Sequence, residues 1–320
     1  KKGYSLFSAS HLPTKITVFG AEQRTQDIYN ADVLNDILAH TVITRTFEEI
    51  TGKDIKHIHQ VPVRFSEPEK EVYQKAISEF HAMRGNYFAS TGNSRKDSMM
   101  RLIQQITLLL RISAAPNTVK EYTGGMPVKI AKVMEMLQEM PDQIIAIGVR
   151  HKKVVDAYSA AIRKLMPERP LFVVTGDTTT LAQRRKLRKT LKASGNGILL
   201  CTQQSLPSSV NFEFVNKVII PELHYNNSRM SQFYMRFVRY TSREDKDIYF
   251  VTYLGSIESN QMQMVLAKEK INLFMRGQEQ DLDDIYKTFG VDYNLLETLM
   301  RREENSEGVF EIRWGKQDIS

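Results

Sequence analysis

Cysteine is nearly absent from the chain: Cys201 stands alone among 320 residues. One thiol leaves no internal disulfide and fits a reducing, cytoplasmic setting. Long apolar runs are missing as well. The best, Ile144 to Val149, is strand-sized, far short of the roughly 20 residues that a membrane-spanning helix needs. The chain opens on Lys1-Lys2-Gly3 without a signal-peptide pattern, which reads as an excised fragment. No Gly-x-x-x-x-Gly-Lys-Ser/Thr occurs, and Gly52-Lys53 lacks both the upstream glycine and the following hydroxyl. That absence excludes a self-contained phosphate-cradling loop. No Asp-Glu dipeptide occurs anywhere. His57 and His59 have no cysteine or carboxylate to complete a zinc pattern; they read as surface or packing residues, and no metal site is expected. Internal repeats and low-complexity segments are also missing.

What is present is an ordinary globular composition, 42% hydrophobic and 25% charged, with a net charge of +7. The positive charge is unevenly spread. Arg184, Arg185, Lys186, Arg188, Lys189 and Lys192 crowd one stretch, and Arg150, Lys152 and Lys153 form a second cluster. Each cluster alone reads as a solvated helix face. Together they point to a polyanionic partner.

The chain divides into three regions. Residues 1–125 read as mainly helical, with one strand at Val61 to Phe65. Ser66 with Glu69 three residues on forms a capping box, and Pro68 is tolerated in the first turn. Val72, Tyr73, Ala76, Ile77 and Phe80 follow at helical spacing. Gly85 to Ser94 reads as a loop, and Leu102, Ile103, Ile106, Leu109 and Leu110 mark another amphipathic helix. Pro116 and Gly124-Gly125 punctuate a linker. Residues 126–276 alternate short apolar runs with polar helical stretches. Ile144 to Val149, Leu171 to Val174, Gly197 to Cys201, Val218 to Ile220 and Ile248 to Thr252 read as strands. Continuous apolar strands separated by helices predict an α/β fold, a parallel sheet covered on both faces. Residues 277–320 form a small extension with two short helices about Gly290 and a strand over Val309 to Trp314.

The segment Ser228 to Arg239 carries the most chemistry. Gln232, Arg236 and Arg239 are spaced by four and three, so on a helix they share one face. Guanidinium groups bind phosphate bidentately and stay charged. Gln232-x-x-x-Arg236-x-x-Arg239 resembles motif VI of superfamily 2 helicases, with Met235 where the family places glycine. Gly197 to Thr202 followed by Asn211-Phe212 resembles motif V, without the family's glycines in the loop. Val173 to Thr178 with Gln183-Arg184-Arg185 resembles the Swi/Snf-like Asp-Gly-Ser-Thr and Glu-Arg pattern. Upstream, Thr41 to Thr46, Pro62 to Tyr73 and Leu108 to Pro116 resemble the segments that join the two lobes in Swi/Snf-like ATPases. The pieces fall in family order over residues 30–275.

The resemblance implies the second RecA-like lobe of a superfamily 2 helicase or DNA translocase. Arg236 and Arg239 are then arginine fingers, Gln232 a further catalytic residue, and Asn211 joins the arginines at the nucleotide. Thr202, Gly176, Arg184, Arg185 and Arg188 are implied contacts to a DNA backbone. ATP and Mg2+ are implied only together with an N-terminal RecA-like lobe of the same parent chain. That lobe would supply the missing phosphate loop and acidic box, so this chain alone is expected to show no ATPase activity. DNA, chiefly double-stranded, is the implied partner, and no membrane is. The competing reading is a non-catalytic nucleic-acid or protein interaction module derived from such a lobe. Glu222 and His224, at a strand's carboxyl end, lack a nucleophile motif to accompany them.

Overall fold

A computed structural model describes residues 2–11, 14–16, 22–24, 30–41, 50, 52–53, 55–89, 91–176, 180–206, 211–224, 227–239, 241–258, 261–262, 302–304 and 310–312. They fall in two compact units. The smaller holds residues 1–46 and 260–313. It contains helices Lys2–His11 and Ala31–Thr41 and two antiparallel pairs. One is β1 (Thr14–Ile16) with β2 (Glu22–Arg24); the other is β9 (Arg302–Glu304) with β10 (Phe310–Ile312). The two short helices expected about Gly290 lie outside the described residues.

The larger unit, residues 47–259 and 314–320, is built on one six-stranded sheet. Its strands are β3 (Lys56–Val63), β4 (Ile145–Val149), β5 (Leu171–Val174), β6 (Ile198–Thr202), β7 (Lys217–Ile220) and β8 (Lys246–Tyr253). Every pairing is parallel, in the order β3-β8-β7-β4-β6-β5. This is the RecA-like α/β architecture expected. The strand foreseen at Val61 to Phe65 starts five residues earlier, at Lys56, and it is an edge of this sheet. Its polar residues, Lys56, His57, His59 and Gln60, are tolerated because an edge strand has a neighbour on one side only.

Both faces of the sheet are covered, as parallel sheets require. Side chains alternate along each strand. Ile145, Ile147 and Val149 face Val133 and Leu137 of the Val128–Glu139 helix, with Val154 and Ile162 of the Lys152–Leu165 helix. All of these are fully buried, and each contributes about 2 kcal/mol of burial. Gly148 points to the other face. A Cβ there would lie 2.2 Å from the Phe233 ring. Only glycine lets the Asn227–Tyr234 helix approach so closely.

The helices Glu67–Ala89 and Gly92–Ala114 pack on one another. Tyr73, Ala76 and Phe80 are buried on one, Leu102, Ile106 and Leu109 on the other. Ile103 is off that face and exposed. The loop expected over Gly85 to Ser94 is nearly consumed by the two helices; only Thr91, extended, and Ser90, outside the described residues, separate them. Packing and the cross-helix bond from Gln105 Nε2 to the Ala76 carbonyl (2.9 Å) override the weak helix propensity of Gly, Asn and Ser.

The half of the capping box that the structure shows is the acidic half. Glu69 Oε2 accepts from the Ser66 backbone N–H at 2.6 Å and the Ser66 hydroxyl at 2.7 Å. Its other oxygen accepts from the Val128 N–H at 2.8 Å and from Tyr253 Oη at 2.6 Å. The Tyr253 ring lies 4.8 Å from Lys129 Nζ. Lys129 and Glu258 pair inside the protein at 2.6 Å, with side chains 0% and 2% exposed. Pro221 O and the Tyr253 N–H complete their hydrogen bonding. Burial pulls the Lys129 ammonium below its ordinary range and pushes the Glu258 carboxyl up to about 7.

Removing one partner of such a pair strands the other. Lys129→Met is expected to cost about 3–5 kcal/mol in urea unfolding, and adding Glu258→Leu to recover most of it. Equal losses in the single and double variants contradict this account of the pair.

Candidate functional site

The chain leaves β7 at Ile220 and re-enters as the Asn227–Tyr234 helix. Gln232 sits on it and is exposed. The helix was expected to run on through Arg236 and Arg239, but it ends at Tyr234. Met235 N–H still bonds Ser231 O, at 2.8 Å, and then the ladder tightens. Arg236 N–H bonds Phe233 O and Phe237 N–H bonds Tyr234 O, each at 3.0 Å. The cause is apolar. Phe233, Phe237 and Val238 are all buried, and Phe233 and Phe237 meet edge to face at 5.4 Å. A tighter final turn brings these three inward together. The three polar residues thus do not share one continuous helical face.

The two arginines remain close. Burial and then the neighbouring Arg239 charge pull the Arg236 guanidinium below its usual range. Both side chains are half-buried. Among the described residues no carboxylate pairs with either, and Arg239 Nε is buried without a hydrogen-bond partner. Two like charges held together without a counterion form an anion-seeking arrangement.

Arg236 is tied to the next predicted element. Its carbonyl accepts from the Phe212 N–H at 3.1 Å. Asn211 is exposed beside it. The segment after Phe212 is anchored by Lys246, a buried lysine whose Nζ donates to Glu213 O at 2.6 Å, Val215 O at 3.3 Å and the Asn216 side chain. Arg188, expected to face DNA, reaches this same segment, with its Nε 2.6 Å from Asn211 O and its Nη2 2.5 Å from Glu213 Oε1.

The other predicted residues lie at the carboxyl end of the sheet, where open α/β folds place ligands. β5 and β6 are neighbours, with Val174 opposite Cys201, so Gly176 and Thr202 emerge together. The Thr202 hydroxyl bonds Ser205 Oγ, and a Cβ at Gly176 would lie 3.7 Å from that same oxygen. Ser205 was not anticipated. The glycine-free loop after β6 begins as a closed turn: Ser205 N–H bonds Thr202 O, and buried Gln203 Nε2 bonds the Gly148 and Glu222 carbonyls. Residues 207–210 lie outside the described residues. The basic helix Leu181–Ser194 starts on a capping box between Thr180 and Gln183. Arg185 is exposed on it, while the Arg184 side chain and Asp177 to Thr179 lie outside the described residues.

Sequence reasoning set aside Glu222 and missed His151. The Glu222 carboxylate is buried and accepts from the Arg150 N–H at 2.6 Å, the His151 N–H at 3.1 Å and His151 Nδ1. It thereby ties the end of β7 to the two residues that lead into the Lys152–Leu165 helix, 71 positions away. The only signal in the sequence was the position of Glu222 at a strand's carboxyl end. His57 and His59 are neither buried nor joined by a third ligand. His59 Nε2 meets Asp247 at 2.7 Å and His57 Nε2 lies 3.8 Å from Asp245.

No known protein family matches the chain by sequence, and no curated protein matches it. Solved structures do match. The C-terminal part of the Fun30 ATPase domain is similar over 76% of this chain and 95% of its own, at 14% identity and a TM-score of 0.55. A Sulfolobus solfataricus SWI2/SNF2 ATPase core in complex with dsDNA is similar over 84% of this chain and 56% of its own, at 16% identity and a TM-score of 0.57. The C-terminal domain of the Sulfolobus protein is covered over 98% of its length, with 77% of this chain, 15% identity and a TM-score of 0.54.

His224 offers a direct check on the charges gathered at this edge. Burial, then the charges of Arg150 and Arg229, lower its pKa from 6.5 to about 4. Between those values the unfolded chain binds a proton that the folded chain does not. Stability is therefore complete above pH 6.5 and falls as pH drops through the window, by about 2–3 kcal/mol. Urea midpoints of His224→Asn should fall less between pH 7 and pH 4.5 than those of the unaltered chain; parallel losses contradict the assignment.

Proposed function

We propose that this chain, which has the fold of the C-terminal lobe of SWI2/SNF2 ATPases, closes on an N-terminal RecA-like lobe of its parent chain to complete an ATP site and holds DNA by its backbone. The observation that carries the reading is the pair Arg236 and Arg239, held close without a carboxylate partner among the described residues. Two guanidinium forks suit a triphosphate. They neutralise charge that spreads over the transferring phosphoryl group, and they cost no reorganisation because packing at Phe233 and Phe237 already fixes the turn. Gln232, exposed on the helix that precedes them, is taken as a further catalytic residue. Asn211 joins them through the bond between Phe212 and Arg236.

Mg2+ belongs with the first lobe in this reading. Among the described residues no group of three His, Cys, Asp or Glu is placed to hold a metal.

DNA contact rests on the sheet's carboxyl end. Thr202 and Gly176 emerge side by side, with the Ser205 hydroxyl between them. Arg184 and Arg185 open the adjoining basic helix. A hydroxyl, exposed backbone and guanidinium groups fit phosphates rather than base edges, so the grip is independent of sequence. That the Sulfolobus core was captured with dsDNA supports this reading. Among the described residues no helix is long and apolar enough to cross a membrane.

In the protein joined to its first lobe, Arg236→Ala or Arg239→Ala is expected to lower ATP turnover by about 10³ with the fold intact. Phosphate release under saturating DNA measures it. Near-normal turnover in both variants favours the interaction-module reading, which the closed, glycine-free turn after Thr202 also fits. The chain alone, with DNA and ATP, is expected to release no phosphate above background.

For the DNA grip, Arg184→Gln with Arg185→Gln is expected to weaken binding to unrelated sequences alike. The slope of log affinity on log salt should lessen by about 1–2, because each neutralised phosphate releases its counterions. An unchanged slope removes these residues from the DNA path.

A further inference from the structure

Arg188 was grouped with the DNA-facing arginines on the strength of its neighbours in sequence, but its side chain is committed elsewhere. Nε donates to the Asn211 carbonyl at 2.6 Å, and Nη2 pairs with Glu213 Oε1 at 2.5 Å. The guanidinium carbon lies 5.5 Å from the centre of the Phe214 ring, and Lys192 lies 5.8 Å from the same ring. The ion pair is partly buried, with side chains 31% and 26% exposed. One guanidinium thus grips three parts of a short segment: the Asn211 carbonyl, the Glu213 carboxylate and the Phe214 ring. A solvated helix face makes no such set of contacts.

The segment so gripped is the one that holds the proposed nucleotide arginines. Phe212, between Asn211 and Glu213, donates its N–H to the Arg236 carbonyl at 3.1 Å. Its ring is buried, 6.2 Å from Phe237. From below, Lys246 Nζ holds the Glu213 and Val215 carbonyls. Along this path a movement of the Leu181–Ser194 helix reaches Arg236 through one side chain and one backbone hydrogen bond.

We propose that Arg188 is a positioning residue. It locks the basic helix to residues 211–214, and so sets where Arg236 and Arg239 stand when the helix engages DNA. This rests on the ATP-site reading of those arginines. Arg184 and Arg185 then touch the DNA, and Arg188 transmits.

Two measurements test it. In the isolated chain, Arg188→Gln should speed exchange of the Phe212 amide by about tenfold and leave amides in β4 unchanged. Unchanged Phe212 exchange overturns the proposal. In the protein joined to its first lobe, Arg188→Gln should lower kcat at saturating DNA by about tenfold, since small misplacements of a catalytic group are costly. DNA affinity and its salt slope should stay as they were. The swap R188E with E213R, which rebuilds the ion pair in reverse but not the bond to the Asn211 carbonyl, should restore part of the lost turnover. Lost DNA affinity and a flattened salt slope with normal kcat overturn the proposal in favour of direct DNA contact. Normal kcat in Arg188→Gln beside a crippled Arg236→Ala overturns the proposal alone. Normal turnover in Arg236→Ala overturns the ATP-site reading and this proposal with it.

Discussion

The carboxylate of Glu69 is fully buried, and both its oxygens are used. It holds the start of the Glu67–Ala89 helix, the first N–H of the Val128–Glu139 helix and the end of β8 through Tyr253. Tyr253 in turn donates its N–H to Glu258, which pairs with Lys129. Three distant stretches of chain meet in one continuous polar network inside an otherwise apolar unit. A half-satisfied network of this kind is worse than an apolar core, whereas a satisfied one fixes a single arrangement. The carboxyl edge of the sheet is thus held in a fixed geometry before any ligand arrives. The same logic recurs one strand over. Glu222 reaches from β7 across to the start of the Lys152–Leu165 helix, and Gln203 ties β6 to β4 and β7.

In the proposed reading, this edge carries the DNA grip, and the nucleotide arginines follow further along the chain. Gly176, Thr202 and Ser205 lie at the strand ends. Arg236 and Arg239 lie past the Asn227–Tyr234 helix, held by the burial of Phe233 and Phe237. Residues 211–216 reach Arg236 through the Phe212 N–H, and Arg188 and Lys246 both hold them. The proposed translocase role would need such a link, because the occupancy of one site must bias the geometry of the other.

Much of this was legible in the sequence, for identifiable reasons. Five of the six strands, β4 to β8, announce themselves as continuous apolar runs, since both faces of a parallel sheet are covered. Strand β3 was half-visible: its apolar residues at Val61 and Val63 showed, while the polar stretch with His57 and His59, read as surface or packing residues, was left out of the strand that an edge position tolerates. The loop at Gly85 to Ser94 was misread because Gly, Asn and Ser disfavour helix locally, and the packing of Phe80 against its neighbours decides otherwise. The spacing of Gln232, Arg236 and Arg239 fitted a helix that the structure ends at Tyr234, for the sake of Phe237. Least legible were the polar links. Lys129 with Glu258, and His151 with Glu222, lie 129 and 71 positions apart, and nothing local marks a charged residue as buried.

In the proposed function, Arg236 and Arg239 are presented to a nucleotide held by another lobe. A crystal structure of the two-lobed protein with ADP and aluminium fluoride, a mimic of the transferring phosphoryl group, addresses it directly. The account predicts guanidinium nitrogens of both arginines within about 3 Å of the fluoride or β-phosphate oxygens. A closed, nucleotide-bound structure in which both side chains point to solvent, with another cation in their place, contradicts it.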